Sequence, residues 1–352
     1  MSWSRPKVVS AVTAVLLATT TLAACGSDGK ESAGPADASS SGFPVTLKNT
    51  FGDTTITKKP ERIVTLGWNA QDVVYALGET PVAIPKVTYG QTADGVTAWD
   101  AAKFDKTKTT LLDTGDKYPF EKIAALNPDV ILAPYEGFDA ATYKTLSDIA
   151  PTVAYPGAPW QTTWQDQTLL VGEALGKKAD AEKLITGIQD KIKQVAAEHP
   201  EFKGKTVTVG SFGAENYIYM PGDPRVRILN EMGFKNAPGV DALEKTNTKK
   251  EFSLTISKEK VADVDADVLI AYVDGIGTRK FLSDPVYSSL HAVKSGGAYA
   301  LQDQQVISGM SAVSVLSVPW VLDKMLPGLT KAAALDRVQR RVARVGQELP
   351  RT

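Results

Sequence analysis

The chain has 352 residues, with 39 basic against 40 acidic side chains, one cysteine and two histidines; at about 150 residues per domain this leaves room for two lobes. A single cysteine excludes an internal disulfide and any multi-thiolate zinc or iron–sulfur site, and His199 and His291 cannot build a three-histidine cage. Near-zero net charge speaks against a protein that coats nucleic acid, which needs a strongly basic face.

Met1 to Lys7 is polar and carries Arg5 and Lys7, whereas Val8 to Thr21 holds no charge. That is the layout of a secretory signal peptide, and its apolar part is shorter than the roughly 20 residues a membrane span needs. It ends at Leu22-Ala23-Ala24-Cys25, which resembles the bacterial lipobox. The resemblance implies that residues 1–24 are removed and that Cys25, the new first residue, is lipidated. More than one acyl chain holds a protein stably on a membrane without a spanning segment. From Gly26 to Gly42 the composition is mostly Gly, Ser, Ala, Asp and Pro with no large apolar residue, so residues 25–42 read as a flexible tether. The functional body then starts at Phe43, on the outer side of the cytoplasmic membrane.

Within that body two segments repeat. Ile123-Ala-Ala-Leu-Asn-Pro-Asp-Val-Ile-Leu-Ala-Pro-Tyr-Glu-Gly137 matches Val261-Ala-Asp-Val-Asp-Ala-Asp-Val-Leu-Ile-Ala-Tyr-Val-Asp-Gly275. Each apolar run after Asp129 or Asp267 is too short for a helix and fits a parallel strand covered on both faces. Further matches keep the same order: Arg62 to Gly67 with Thr206 to Gly210, Leu77-Gly78 with Met232-Gly233, and Tyr143 to Leu146 with Tyr287 to Leu290. Between the copies Ala181, Leu184, Ile185, Ile188, Ile192, Val195 and Ala196 fall at helical spacing between Gly176 and Pro200. The expected fold is α/β: two Rossmann-like lobes, residues 43–178 and 201–330, joined by a single long backbone helix over 179–200, with a tail over 331–352. Ligands bind such lobes in a cleft between them, at the carboxyl ends of the strands. The connecting helix should restrict closure to a small hinge motion.

The loops expected at those strand ends are rich in aromatics and carry a few arginines: Trp68, Tyr89, Tyr135, Glu136, Tyr155, Trp160 and Trp164 in the first lobe, with Phe212, Tyr217, Tyr219, Arg225, Arg227, Tyr272, Arg279 and Trp320 in the second. Such walls suit a bulky, partly apolar ligand bearing oxygen acceptors. Catalytic patterns stop short. Gly309-Met-Ser-Ala-Val313 lacks the closing glycine of a nucleophile elbow, and Gly204-Lys-Thr206 has His199 where a phosphate loop needs its first glycine. No enzyme activity is expected.

Pro60-Glu-Arg-Ile-Val-Thr-Leu66, Leu126-Asn-Pro-Asp-Val-Ile131, Leu146-Ser-Asp-Ile-Ala-Pro151 and Leu316-Ser-Val-Pro-Trp-Val-Leu322 resemble the iron-siderophore substrate-binding lipoproteins of ABC importers. These are helical-backbone binding proteins related to the ferric hydroxamate, ferric enterobactin and vitamin B12 binding proteins. The resemblance covers about Phe43 to Leu329. It implies a ferric siderophore as transported ligand, an ABC permease as partner, a monomeric chain, and neither a resident cofactor nor direct protein–metal bonds. Ligand contacts are assigned to Trp68, Tyr135, Tyr155, Trp160, Tyr219, Arg225, Tyr272 and Trp320. Relatives dock on the permease through one acidic residue on the rim of each lobe, which by position are Asp72 and Glu231 here. A hydroxamate chelate fits few arginines better than a triply anionic catecholate. Haem or a corrinoid on the same fold is the alternative, and a ferric ion held by tyrosinates is a more distant one.

Overall fold

The structure, a computed structural model, describes residues 42–115 and 117–348; the expected signal peptide, the expected lipidation at Cys25 and the expected tether up to residue 41 lie outside them. The described chain opens with an antiparallel hairpin, β1 (Val45–Asn49) and β2 (Gly52–Ile56). Hydrogen bonds tie it to the backbone of residues 152–155. The Thr50 amide donates to Tyr155 O at 2.9 Å, and the Thr54 hydroxyl donates to Thr152 O at 2.7 Å.

Five short strands then form a parallel sheet: β3 (Ile63–Thr65), β4 (Ala83–Pro85), β5 (Thr110–Leu112), β6 (Val130–Ala133) and β7 (Thr152–Ala154), in the order β5-β4-β3-β6-β7. Every residue of β6 is buried, as a strand with helices over both faces requires. The second sheet holds β8 (Thr206–Phe212), β9 (Asn216–Tyr219), β10 (Lys235–Asn236), β11 (Ser253–Ile256), β12 (Val268–Tyr272) and β13 (Ala298–Leu301). Its order is β11-β9-β8-β12-β13, with β10 beside the start of β8. The internal repeat places β6 on β12, and each lies between two neighbours in its sheet. The copies differ at one edge: β9 and β11 are antiparallel additions to the second sheet.

All strands of the first sheet precede those of the second, so the chain passes between the sheets once, through a segment containing helices Trp164–Ala174 and Lys178–Glu198. The 21-residue helix Lys178–Glu198 is roughly 30 Å long at about 1.5 Å per residue. Ala181, Ile192 and Val195 form its buried stripe, flanked by half-buried Leu184, Ile185 and Ile188. It ends where Pro200 removes an amide donor. The largest apolar cluster draws on both sheets: Ile63 and Val130 from the first, Val207 and Val268 from the second, with Ile192 and Val195 among the residues that connect them. The halves therefore share this core, and each also keeps a smaller one of its own, around Val64, Leu66 and Ile131 in the first and Phe212, Leu269 and Phe281 in the second. Residues 331–348, expected to form a tail, instead continue helix Ser317–Glu348. Among the described residues no helix is long and apolar enough to cross a membrane.

Ile192 is 1% exposed in that shared core. Ile192→Ala is expected to destabilise the chain by about 2–5 kcal/mol, seen as an earlier urea midpoint; an unshifted midpoint would show that the helix face contributes nothing to holding the halves together.

Candidate functional site

The loops that leave the carboxyl ends of the first sheet converge on a cavity of about 360 Å³. Trp68 comes from the loop after β3, Tyr89 after β4, Asp113 after β5, Glu136 after β6 and Trp160 after β7; Ser308 and Ala312, from helix Gln304–Ser311 and its end, close the far side. A second cavity of about 180 Å³ shares Trp68 and Trp160 and is lined further by Tyr135, Arg225, Phe252 and Ser311. The two cavities share a wall, Trp68 and Trp160, and each is lined by residues from both halves.

Two glycines make this wall feasible. Gly67 has φ +73°, and a Cβ there would collide with Tyr135 O; its absence lets the Trp68 amide reach that carbonyl at 3.2 Å. A Cβ on Gly137 would overlap Trp160 Nε1, so glycine is what admits the indole. Trp160 then meets Tyr135 edge-on, with ring centroids 5.7 Å apart. Trp68 remains 43% exposed, a large ring held open at the mouth.

Arg225 is the second residue of helix Pro224–Glu231, whose cap Asp223 accepts from the Arg225 amide at 2.8 Å and from its Nη1 at 2.6 Å. Its Nε donates to Ser311 Oγ at 3.1 Å, and the guanidinium carbon lies 4.0 Å from the centre of the Tyr219 ring. Tyr272 packs against Tyr219 at 5.8 Å. Burial pushes the Tyr135 and Tyr272 hydroxyls far above the ordinary phenol range, so both stay protonated. Burial also raises the Glu136 carboxyl, against the Gly137 amide that donates to Oε1 at 3.1 Å and the nearby Tyr118 hydroxyl.

Of the eight residues expected to touch ligand, Trp68, Tyr135, Trp160 and Arg225 line the cleft. Tyr219 lies under the Arg225 guanidinium, and Tyr272 packs against Tyr219 in turn. Two expectations are corrected. Tyr155 is 4% exposed and donates to Phe138 O at 2.6 Å, with Phe51 and Phe138 against its ring; it belongs to the core under the hairpin. Trp320 packs on Trp99 at 5.6 Å and over Gly309, outside the lining of either cavity. Phe252 is a cleft residue that no pattern in the sequence singles out, because it does not follow a parallel strand. Antiparallel pairing of β11 with β9 brings the start of one to the end of the other, and Met220 donates its amide to Phe252 O.

Asp72 is not a rim residue. Six of the seven residues of helix Ala70–Ala76 are buried, so the helix has no outer face to offer. Asp72 is 0% exposed and its Oδ2 accepts from Trp99 Nε1 at 2.6 Å and from the Ser314 hydroxyl. Beside it, Asn69 in the left-handed conformation donates Nδ2 to Val313 O at 2.9 Å and accepts from Gln167 Nε2 at 2.8 Å. These bonds stitch the first sheet's leading turn to the loop before helix Ser317–Glu348. Across the mouth, Tyr89 donates to Asp274 Oδ2 at 2.8 Å. Glu231, the other docking candidate, is exposed at the end of its helix.

Residues 63–305 match the family model described as periplasmic binding protein. Among curated proteins, the chain is similar to the probable siderophore-binding lipoprotein YfiY of Bacillus subtilis (strain 168), 29% identical over 310 residues, 84% of this chain and 91% of the relative. The Fe(3+)-citrate-binding protein YfmC of the same organism is 26% identical over 253 residues, 70% of this chain and 75% of the relative. Among solved structures, PiaA of Streptococcus pneumoniae TIGR4 in complex with ferrichrome is 33% identical, with a TM-score of 0.75 covering 82% of this chain and 99% of that one.

Burial, and next the charge of neighbouring Asp100, hold the Asp72 carboxyl well above its usual range. Such a group keeps its proton in the folded chain while the unfolded chain releases it, so stability falls as pH rises from about 4 to the raised value. Asp72→Asn is already neutral and is expected to melt higher than the native chain at pH 7, with the gain shrinking towards pH ~4. A melting difference that stays constant across that range would show that Asp72 does not titrate this way.

Proposed function

The chain belongs to the periplasmic binding protein family, and on that premise we propose that it is the receptor of an ABC importer, capturing a ferric siderophore of hydroxamate type and passing it to the permease. The observation that carries this reading is the double cleft itself, walled by Trp68, Tyr135, Trp160 and Phe252 and supplied with the Arg225 guanidinium. A ferric chelate offers an apolar rim and oxygen acceptors; rings pack on the first and a guanidinium donates to the second. The iron keeps its own oxygen donors and travels as cargo. The names of the relatives, a siderophore-binding lipoprotein and a structure with ferrichrome, support the same class.

Charge separates the chelator types. Arg225 is already paired with Asp223 at 2.6 Å, and Glu136 and Asp113 face the larger cavity together with Lys86. A triply anionic catecholate would meet little uncompensated positive charge there, whereas an uncharged ferric hydroxamate meets no such penalty. In this reading the chain works by binding alone, as a monomer anchored through Cys25 on the outer face of the cell membrane. The shared core and the bonds at Asn69 and Asp72 keep closure small. Glu231 is the docking carboxylate of the second half.

Tryptophan fluorescence of the purified chain, titrated with ferric hydroxamate, catecholate and carboxylate chelates beside haem and cobalamin, tests the ligand class. The hydroxamate should quench at the lowest concentration, and Trp68→Ala and Arg225→Ala should each weaken binding about tenfold or more by calorimetry. Quenching by haem or cobalamin with none by the chelates would replace this reading. For docking, Glu231→Lys should cut iron uptake by cells while leaving the affinity in solution unchanged; normal uptake would remove Glu231 from the interface.

A further inference from the structure

Glu136 has no task in the wall just described. Its carboxyl is 7% exposed on the lining of the larger cavity, where an ionised group lacking a cation is costly. Its partners among the described residues are neutral: the Gly137 amide at 3.1 Å and the neighbouring Tyr118 hydroxyl. Lys86 lines the same cavity but is exposed, and Asp113 adds a second carboxylate at the rim. Gln71, 5% exposed on the same wall, commits its amide nitrogen to Asp100 Oδ2 at 3.2 Å, and its Oε1 has no hydrogen-bond partner among the described residues. The smaller cavity instead has a donor on its lining, the Arg225 guanidinium paired with Asp223 behind it. Trp68 and Trp160 are common to both, so a chelate packed on these indoles beside Arg225 has the larger cavity within reach of any side arm.

We infer that the larger cavity is a subsite for a cationic arm of the chelator, a primary ammonium that donates to the Glu136 carboxylate. The inference rests on the siderophore reading above and narrows its ligand to an asymmetric chelate. One end is an oxygen-rich iron centre facing Arg225, and the other is a positively charged tail. A buried charge-assisted hydrogen bond of this kind is worth about tenfold or more in affinity.

The test compares two ferric complexes of one linear trihydroxamate, the first with a free terminal amine and the second with that amine acetylated. Both are titrated into the purified full-length chain and into Glu136→Gln. The native chain should prefer the free amine by about tenfold or more, and Glu136→Gln should bind both forms alike while melting no lower than the native chain, since it removes an unneutralised buried charge. Equal affinities in the native chain, or a preference that survives in Glu136→Gln, would overturn the subsite and leave the siderophore reading standing. Failure of both complexes to bind the native chain would overturn that reading and the subsite with it.

Discussion

A cleft built from two sheets recognises anything only if the sheets are held at a fixed separation. Here the fixing element is a buried group of polar bonds around Asn69 and Asp72, where the turn after β3 meets the Val313-Ser314 backbone and side chain. Trp99 and Gln167 complete it, each donating to one of the two first-half residues. Polar groups packed this tightly in the interior hold one another in place, so the arrangement tolerates few alternatives. Trp68, one residue before Asn69, inherits its position from it. The aromatic mouth and the interlobe joint are thus consecutive residues of one turn.

The internal repeat explains why the cleft exists, and its imperfection explains why its walls differ. Both halves keep a central parallel strand, β6 and β12. The first half surrounds the space with loops after five parallel strands and supplies most of the cavity lining. The second half adds the β9–β11 pair, which sends Phe252 into the smaller cavity from an unexpected direction, and a capped helix that carries Arg225. The first half thus contributes a carboxylate-lined chamber, and the second a braced guanidinium. A near-symmetric backbone carries an asymmetric electrostatic field.

Much of this is legible in the amino-acid sequence. The two apolar runs at 130 and 268 are short, unbroken and bounded by loops, which only a two-sided burial explains, and the stripe from Ala181 to Val195 has the spacing of one face of a helix. Trp68, Tyr135 and Trp160 stand in loops beyond a parallel strand, where a ligand cleft is expected, and Arg225 stands in the first turn of the helix that follows β9. The residues that sequence misplaces share a cause. Whether an aromatic after a strand faces the cleft or the layer beneath is set by what packs there: Phe51 from the hairpin takes Tyr155, and Trp99 takes Trp320. Asp72 reads as a surface acid because charged residues usually are exposed, yet the helix carrying it is only seven residues long and is covered almost entirely. Local pattern reports periodicity; it does not report which neighbour arrives from 242 residues away, as Ser314 does.

The opening hairpin has a mechanical consequence. Close to Phe43 the chain is clasped by Thr50 and Thr54 to the backbone at Tyr155 and Thr152, with Phe51 wedged among Phe138, Tyr143 and Tyr155. Any tension transmitted from upstream is therefore delivered to the β7 margin of one half. The opposite half is reached only beyond that margin, through the shared interior, the connecting helices and the bonds at Asn69 and Asp72.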